Sequence, residues 1–206
     1  MWSLLQPSQQ TLQDFIARQR REPFSYPEVG STGNQYMPVG YDHDHNRWQI
    51  GQGRAAFEAA CAALRRWEMF PRPWTRIEAA GAPTAAGTTV AMMARVYGLW
   101  WLNACRIVYV VDEARPVRRF GFAYGTLLAH VERGEELFSV EHHADDTVWY
   151  ELRAFSLPRF WMARLARPLA RGLQRRFQRD SRDAMTRAVA AHPAGAQGQV
   201  LNAPVS

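Results

Sequence analysis

The sequence predicts an α+β fold in which a strongly curved antiparallel sheet of about seven strands wraps around a long, kinked C-terminal helix. Two observations indicate the sheet. Apolar and polar residues alternate from residue 74 to residue 156, and only short turns separate these runs. A third observation indicates the helix, because apolar residues at helical spacing continue through the arginine-rich segment that follows.

The first third of the chain is predicted to supply two helices, one strand and an irregular cover. Residues 9–21 carry apolar side chains at helical spacing and should form a short amphipathic helix. Residues 22–40 contain three prolines and three glycines, which favour an extended, irregular path. Residues 41–50 should form a strand and residues 53–70 a helix.

Six further strands are predicted in the second part of the chain. They cover residues 74–80, 88–97, 101–112, 117–128, 135–144 and 147–156. Parallel neighbours would need crossover connections of about a dozen residues or more, so these short turns predict an antiparallel meander.

The last predicted element is one long helix. Ser156 is its candidate N-cap and Pro158 lies in its first turn, while Pro168 should kink it near residues 164–168. Its apolar stripe consists of Trp161, Leu165, Leu169, Leu173 and Phe177. We therefore expect an N-terminal helical extension (1–23), one domain (24–190) and a disordered tail (191–206).

Composition narrows the range of chemistry. The formal charge is +6, and nine arginines lie between Pro158 and Val189. The chain contains no lysine, which excludes Schiff-base chemistry and a P-loop lysine. Cys61 and Cys105 lie in apolar surroundings without metal-type spacing, so we expect two buried thiols and a cytoplasmic location. No stretch is long and apolar enough for a spanning helix.

Five segments carry a resemblance to a known family. They are FSYPEVG (24–30), WQIGQGRAAFEAA (48–60), CRIVYVVDE (105–113), FGFAYGTLLAHVERGEELFSVE (120–141) and FSLPRFWMARLARPLARGLQRR (155–176). The sequence resembles domain-of-unknown-function family 1990, also called uncharacterised protein family 0548. Its element order resembles the START-like, or helix-grip, superfamily of ligand-binding and cyclase-like domains. The resemblance implies a fold and a cavity between sheet and helix, but no established activity.

Strand periodicity predicts which side chains face this cavity. Phe122 and Tyr124 share one strand face, and the small Gly121 and Gly125 share the other, where they would permit a bend or a close backbone approach. Of two adjacent glutamates only Glu136 is in phase with the inward aromatic side chains. The candidate ligand-binding residues are Trp48, Arg106, Tyr109, Phe122, Tyr124, His130, Glu136, Phe138 and Tyr150.

Three functions remain open at this point. The first is binding of a small apolar or amphipathic molecule in the cavity. The second is an enzyme of the cyclase or hydrolase type, with Tyr124, His130 or Glu136 transferring protons and an arginine such as Arg106 pairing with a carboxylate. The third is binding of RNA or anionic membrane by the arginine-rich helix. A core filled by the aromatic rings and a solvated cluster of surface charges are the structural alternatives.

Two other motifs are weaker. GQGRAA (51–56) fits a dinucleotide-binding fingerprint, but the preceding strand is polar and no alternating strand and helix units follow. DHDH (42–45) places two imidazoles on one strand face without visible further ligands. We therefore expect no cofactor and no metal, and nucleic acid is disfavoured as a partner. The oligomeric state is left open.

Overall fold

The computed structural model describes residues 2–79, 81–159 and 167–191. The helices are α1 (Gln9–Gln19), α2 (Gly53–Arg65) and α3 (Arg167–Ala190), and a 3-10 turn covers Ser31–Gly33. The strands are β1 (Trp2–Ser3), β2 (Asp42–Gln52), β3 (Thr75–Glu78), β4 (Thr89–Val96), β5 (Leu99–Glu113), β6 (Arg118–Thr126), β7 (Glu132–His142) and β8 (Thr147–Pro158).

The strands form one curved antiparallel sheet. Its order is β2-β8-β7-β6-β5-β4-β3, and the short β1 pairs with the N-terminal half of β5. Strands β3 to β8 follow one another as a meander, as predicted, and β2 closes the far edge against β8. The sheet holds the C-terminal helix α3 on its concave face, which confirms the helix-grip fold.

The concave face carries the main core. Alternation along β6 and β7 directs Phe122, Phe138 and Val140 into this core, where α2 and α3 cover them. Apolar residues at helical spacing on α2, among them Phe57 and Leu64, bury the face of that helix. The core thus consists of one sheet face and two helices.

Helix α2 ends at Arg65, five residues before the predicted end. Trp67 adopts a left-handed backbone conformation with φ of 59°, and its N–H donates to the carbonyl of Leu64. The N–H of Glu68 donates to the carbonyl of Ala63, which completes a Schellman cap. The Trp67 ring packs 4.6 Å from the ring of Phe122, so tertiary contact stabilises a conformation that helical periodicity does not reveal.

The convex face is covered by the N-terminal part of the chain. Ser8 caps α1 by accepting a hydrogen bond from the N–H of Thr11. Leu12, Phe15 and Ile16 are buried, as expected for the apolar face of α1. They pack in a second cluster that includes Met93, Leu102 and Leu127 from the sheet and its loops.

Glu135 attaches the segment after α1 to the convex face. Its buried carboxylate accepts hydrogen bonds from the Tyr26 hydroxyl and the Gly30 N–H, both at 2.7 Å, and from the N–H and hydroxyl of Thr32. The Tyr26 ring lies directly over Gly125, where an added Cβ atom would be 2.0 Å from the tyrosine oxygen. Gly125 therefore makes room for a tyrosine side chain, whereas the sequence analysis expected a bend or a close backbone approach.

The prediction for the start of the C-terminal helix was wrong. Ser156 is not a helix cap, because β8 continues to Pro158 and Ser156 pairs with Asp42 and with Gly134. The backbone bonds of two neighbouring strands outweigh the local cap and proline signals. Some expectations concern residues that lie wholly or partly outside the described parts of the chain. They are the kink near residues 164–168, the apolar residues Trp161 and Leu165, and the tail from residue 192 to residue 206.

No helix among the described residues is both long and apolar enough to pass through a lipid bilayer.

Candidate functional site

A cavity of about 590 Å³ lies between the concave face of the sheet and α3. Strands β2 to β8 and the side of α3 that includes Leu173 and Phe177 line it. Most of the lining is apolar, and aromatic rings are contributed by Phe70, Trp74, Tyr97, Trp101, Tyr124 and Phe177, whereas the ring of the lining residue Phe155 packs on the convex face against Tyr26 and Tyr41. A space of this size and lining suits a small, largely apolar molecule.

Glu136 and Tyr124 form a polar pair in the cavity wall. They are register partners on β7 and β6, and the Tyr124 hydroxyl donates to a Glu136 carboxylate oxygen at 2.7 Å. Burial raises the pKa of Glu136 to about 7, and the carboxylates of Asp44 and Glu132 add to this effect, while the bond from Tyr124 opposes it. Burial also raises the pKa of Tyr124, so the phenol remains a donor.

A second polar group joins the sheet to α3. The Gln174 amide donates to both carboxylate oxygens of Glu132, at 3.1 and 3.3 Å, and to the Ser156 hydroxyl at 3.1 Å. Burial raises the pKa of Glu132, against the effect of the Gln174 bond. Beside it, Arg171 binds the carboxylate of Asp44 with two hydrogen bonds of 2.7 and 2.8 Å. This pair neutralises Arg171 at the cavity edge.

His130 lines the cavity at the turn between β6 and β7. Its Nδ1 lies 2.9 Å from the backbone nitrogen of Glu132 and 3.1 Å from the carbonyl oxygen of the same residue, so the tautomer of the neutral ring decides which of the two contacts is a hydrogen bond. The side chain is 8% exposed. Burial lowers the pKa of His130 to about 4, and the ring is therefore neutral at physiological pH.

The structure brings only part of the predicted site together. Tyr124, His130 and Glu136 line the cavity. Four other predicted residues, Trp48, Phe122, Phe138 and Tyr150, belong to the packed core beside it. Trp48 stacks on Tyr150 at 5.9 Å between ring centroids, and the Tyr150 hydroxyl shares a 2.8 Å hydrogen bond with Ser181 on α3.

The remaining two predicted residues lie on the convex face, away from the cavity. Arg106 alternates with the inward Cys105 and donates to the backbone carbonyls of Gln19, Arg20 and Glu22, so the expected pairing with a carboxylate does not form. Tyr109 is turned outward because the pairing of β5 with β6 shifts between Ile107 and Tyr109. Its hydroxyl contacts the Thr32 hydroxyl at 2.8 Å.

Several lining residues escaped the sequence reasoning. Asp44 enters the sequence analysis only as part of the DHDH motif. Trp74, Trp101 and Gln174 showed no distinguishing signal. Strand phase could have placed Asp44 inward, because it alternates with His43 and His45.

The histidines of DHDH make ordinary contacts. His43 contacts the Pro38 carbonyl at 2.7 Å and His45 contacts the Glu151 carboxylate at 2.7 Å. No group of three or more ligand-type side chains suited to a metal ion occurs within residues 2–79, 81–159 and 167–191. GQGRAA leads from β2 into α2, where Gly51 packs against Ala56 and Val189.

Six arginines of α3 have side chains that the structure describes, and three of these six form ion pairs. Arg171, Arg176 and Arg182 form ion pairs with aspartates, and Arg176 also lies 4.6 Å above the Trp74 ring. Arg175, Arg179 and Arg187 are exposed. Part of the helix charge therefore contributes to the fold itself.

Comparison with known proteins places this geometry in a family. The chain is 32% identical to a UPF0548 protein of Dictyostelium discoideum, covering 92% of this chain and 96% of the relative. It is 36% identical to a UPF0548 protein of Deinococcus radiodurans, with 87% and 94% covered. A hypothetical protein of Helicobacter pylori shares the fold at 12% identity, with a TM-score of 0.52 and coverage of 83% and 96%. The model of the family described as "Domain of unknown function (DUF1990)" matches residues 25–184, and the chain belongs to this family.

Proposed function

We propose that this protein binds a small, largely apolar molecule in the cavity between the sheet and α3. The observation that carries the proposal is the cavity itself. Its volume of about 590 Å³ lies within the range of about 300–1,000 Å³ that is typical of small-molecule sites. Its walls combine aromatic rings with a few polar groups, which can orient a bound molecule. The two free, buried thiols of Cys61 and Cys105 support the expectation of a reducing, cytoplasmic environment.

Binding of Nile red, an uncharged apolar dye, tests this proposal. Ala94 lines the cavity from β4, and Ala94→Trp should fill part of the space and weaken binding by about tenfold or more. Ala55→Trp adds the same side chain at an exposed position of α2 and should leave the affinity unchanged. Native mass spectrometry of gently purified protein would also be expected to show a bound small molecule.

Two results would count against a ligand-binding function. One is the absence of saturable dye binding together with a native mass that equals the bare chain. The other is equal dye affinity in Ala94→Trp and the parent protein, because the dye would then bind outside the cavity.

Acid-base catalysis in the same cavity is a second candidate. The observation that favours it is the pKa of Glu136, which burial raises to about 7, the value at which a carboxyl both gives and takes protons at neutral pH. Once a substrate is found, Glu136→Gln should reduce turnover by about a hundredfold or more, while Tyr124→Phe should reduce it less. Unchanged turnover in both variants would exclude this role.

A further inference from the structure

The charges that line the cavity are of one sign. Among the described lining residues, Asp44, Glu132 and Glu136 present carboxylates, and none is an arginine. Glu135 also contributes to the wall, but its carboxylate is bound on the convex face. Arg171 is committed to Asp44 through two hydrogen bonds. Among the described residues neither Glu132 nor Glu136 forms a direct ion pair, although the charge of the nearby Arg171 acts on Glu132.

The hydrogen bonds of this wall leave specific atoms available. Tyr124 occupies one carboxylate oxygen of Glu136, and the other has no hydrogen-bond partner within the described part of the chain. His130 is more than nine-tenths buried, and its Nε2 has no hydrogen-bond partner there either, while its Nδ1 contacts the backbone of Glu132. Neither atom is fully enclosed by the described residues, so a molecule in the cavity can reach both and supply the missing hydrogen bonds.

The aromatic lining adds to the same preference. Trp101, Phe70 and Phe177 surround the cavity together with the Tyr124 ring. The faces of aromatic rings attract cations, most strongly when water is excluded. Carboxylates and aromatic faces together form the surroundings that an ammonium group prefers, whereas a carboxylate ligand would meet like charge.

We propose, building on the proposed function, that the ligand is an amphipathic amine whose apolar body fills the aromatic part of the cavity and whose ammonium group binds the free oxygen of Glu136. Glu132 supports this site electrostatically from the same inner face of β7, with Gln174 holding its side chain. The His130 Nε2 provides a hydrogen-bonding atom for a second polar group on the ligand.

The pH dependence follows from the groups around Glu136. These are Tyr124 on β6, Glu132 on β7, Asp44 on β2, Tyr150 on β8 and Cys105 on β5, with His130 at the turn and Arg171 and Gln174 on α3. His130 is neutral above about pH 5, and Arg171 remains paired with Asp44. Burial gives Glu136 a pKa of about 7, so the charge of this group changes near neutrality.

The experiment compares decylamine, decanol and decanoate by isothermal titration calorimetry, below the concentrations at which they aggregate. Decylamine should bind at least about tenfold more tightly than decanoate at about pH 8. Its affinity should rise about tenfold between about pH 6 and about pH 8, because only ionised Glu136 attracts the ammonium group. Decanol should show no such rise.

Variants connect the effect to the residue. Glu136→Gln should remove the pH dependence and the preference for the amine while decanol still binds. Glu141→Gln, at a carboxylate bound to Arg47 on the convex face, should change neither. Decanoate binding as tightly as decylamine, or a pH dependence that survives Glu136→Gln, would overturn the amine inference and leave the cavity function intact. If none of the three compounds binds, both proposals fail.

Discussion

The protonation of Glu136 leads to a measurable prediction for stability. Its pKa rises from the ordinary value of 4.5 to about 7 on folding, so the folded state holds the proton more tightly than the unfolded state. The free energy of unfolding should therefore fall between about pH 4.5 and pH 7. Above about pH 7 the decrease in the free energy of unfolding reaches its full value of about 3 kcal/mol. Glu136→Gln removes this loss and keeps an acceptor for the Tyr124 hydroxyl, so the variant should be the more stable protein at pH 8.

The assay is urea unfolding followed by circular dichroism at a series of pH values. The measured quantity is the difference in unfolding free energy between Glu136→Gln and the parent protein. The two proteins are compared because titration of His130 makes the unfolding free energy of both rise with pH, which opposes the effect of Glu136. Its pKa falls from 6.5 to about 4 on folding, so its contribution is present above about pH 6.5 and is lost as the pH falls toward 4.

The matched control is Glu58→Gln on the exposed surface of α2. Arg54 lowers the pKa of Glu58 through a hydrogen bond, so this difference should have the opposite sign and be much smaller, because solvent screens the pair. A difference for Glu136→Gln that stays constant from about pH 4.5 to pH 8 would refute the argument that burial controls this carboxyl.

Two further predictions concern packing, and both are measured by the same unfolding assay. Gly125→Ala should destabilise the fold by about 2–4 kcal/mol, because the new methyl group displaces Tyr26. The control is Gly172→Ala on α3, where the new methyl group enters open space, and it should stabilise the fold by up to about 1 kcal/mol. Equal effects would contradict the close packing over β6. Tyr150→Phe should cost about 1–2 kcal/mol by leaving the buried Ser181 hydroxyl unpaired, and adding Ser181→Ala should restore most of it. Additive losses would show that the two hydroxyls are not coupled.

Residue alternation was sufficient to predict much of the sheet. Strand side chains point to opposite faces in turn, so the separation of Glu135 from Glu136 and the inward position of Phe122 follow from the sequence. Short turns predicted the antiparallel order, because parallel neighbours would need a longer connection between the strands. The family resemblance agreed with both, and the model of the family covers residues 25–184.

Local sequence patterns gave a wrong prediction at three places where a contact between distant parts of the chain decided the structure. The shift in pairing between Ile107 and Tyr109 turns Tyr109 to the convex face. Pairing with β2 and β7 keeps Ser156 in a strand, although its neighbours read as a helix start. Trp67 ends α2 by a left-handed turn that depends on contact with Phe122.

By itself, the sequence determined most of the secondary structure and the face on which most side chains lie, because the local periodicity of apolar residues encodes both. Tertiary structure alone decided which inward side chains border an open space and which are packed. Tyr124 and Phe138 share the concave face, yet only Tyr124 lines the cavity. The physical reason is that a cavity is the volume left between α3 and the sheet, and its position depends on how elements distant in sequence pack together.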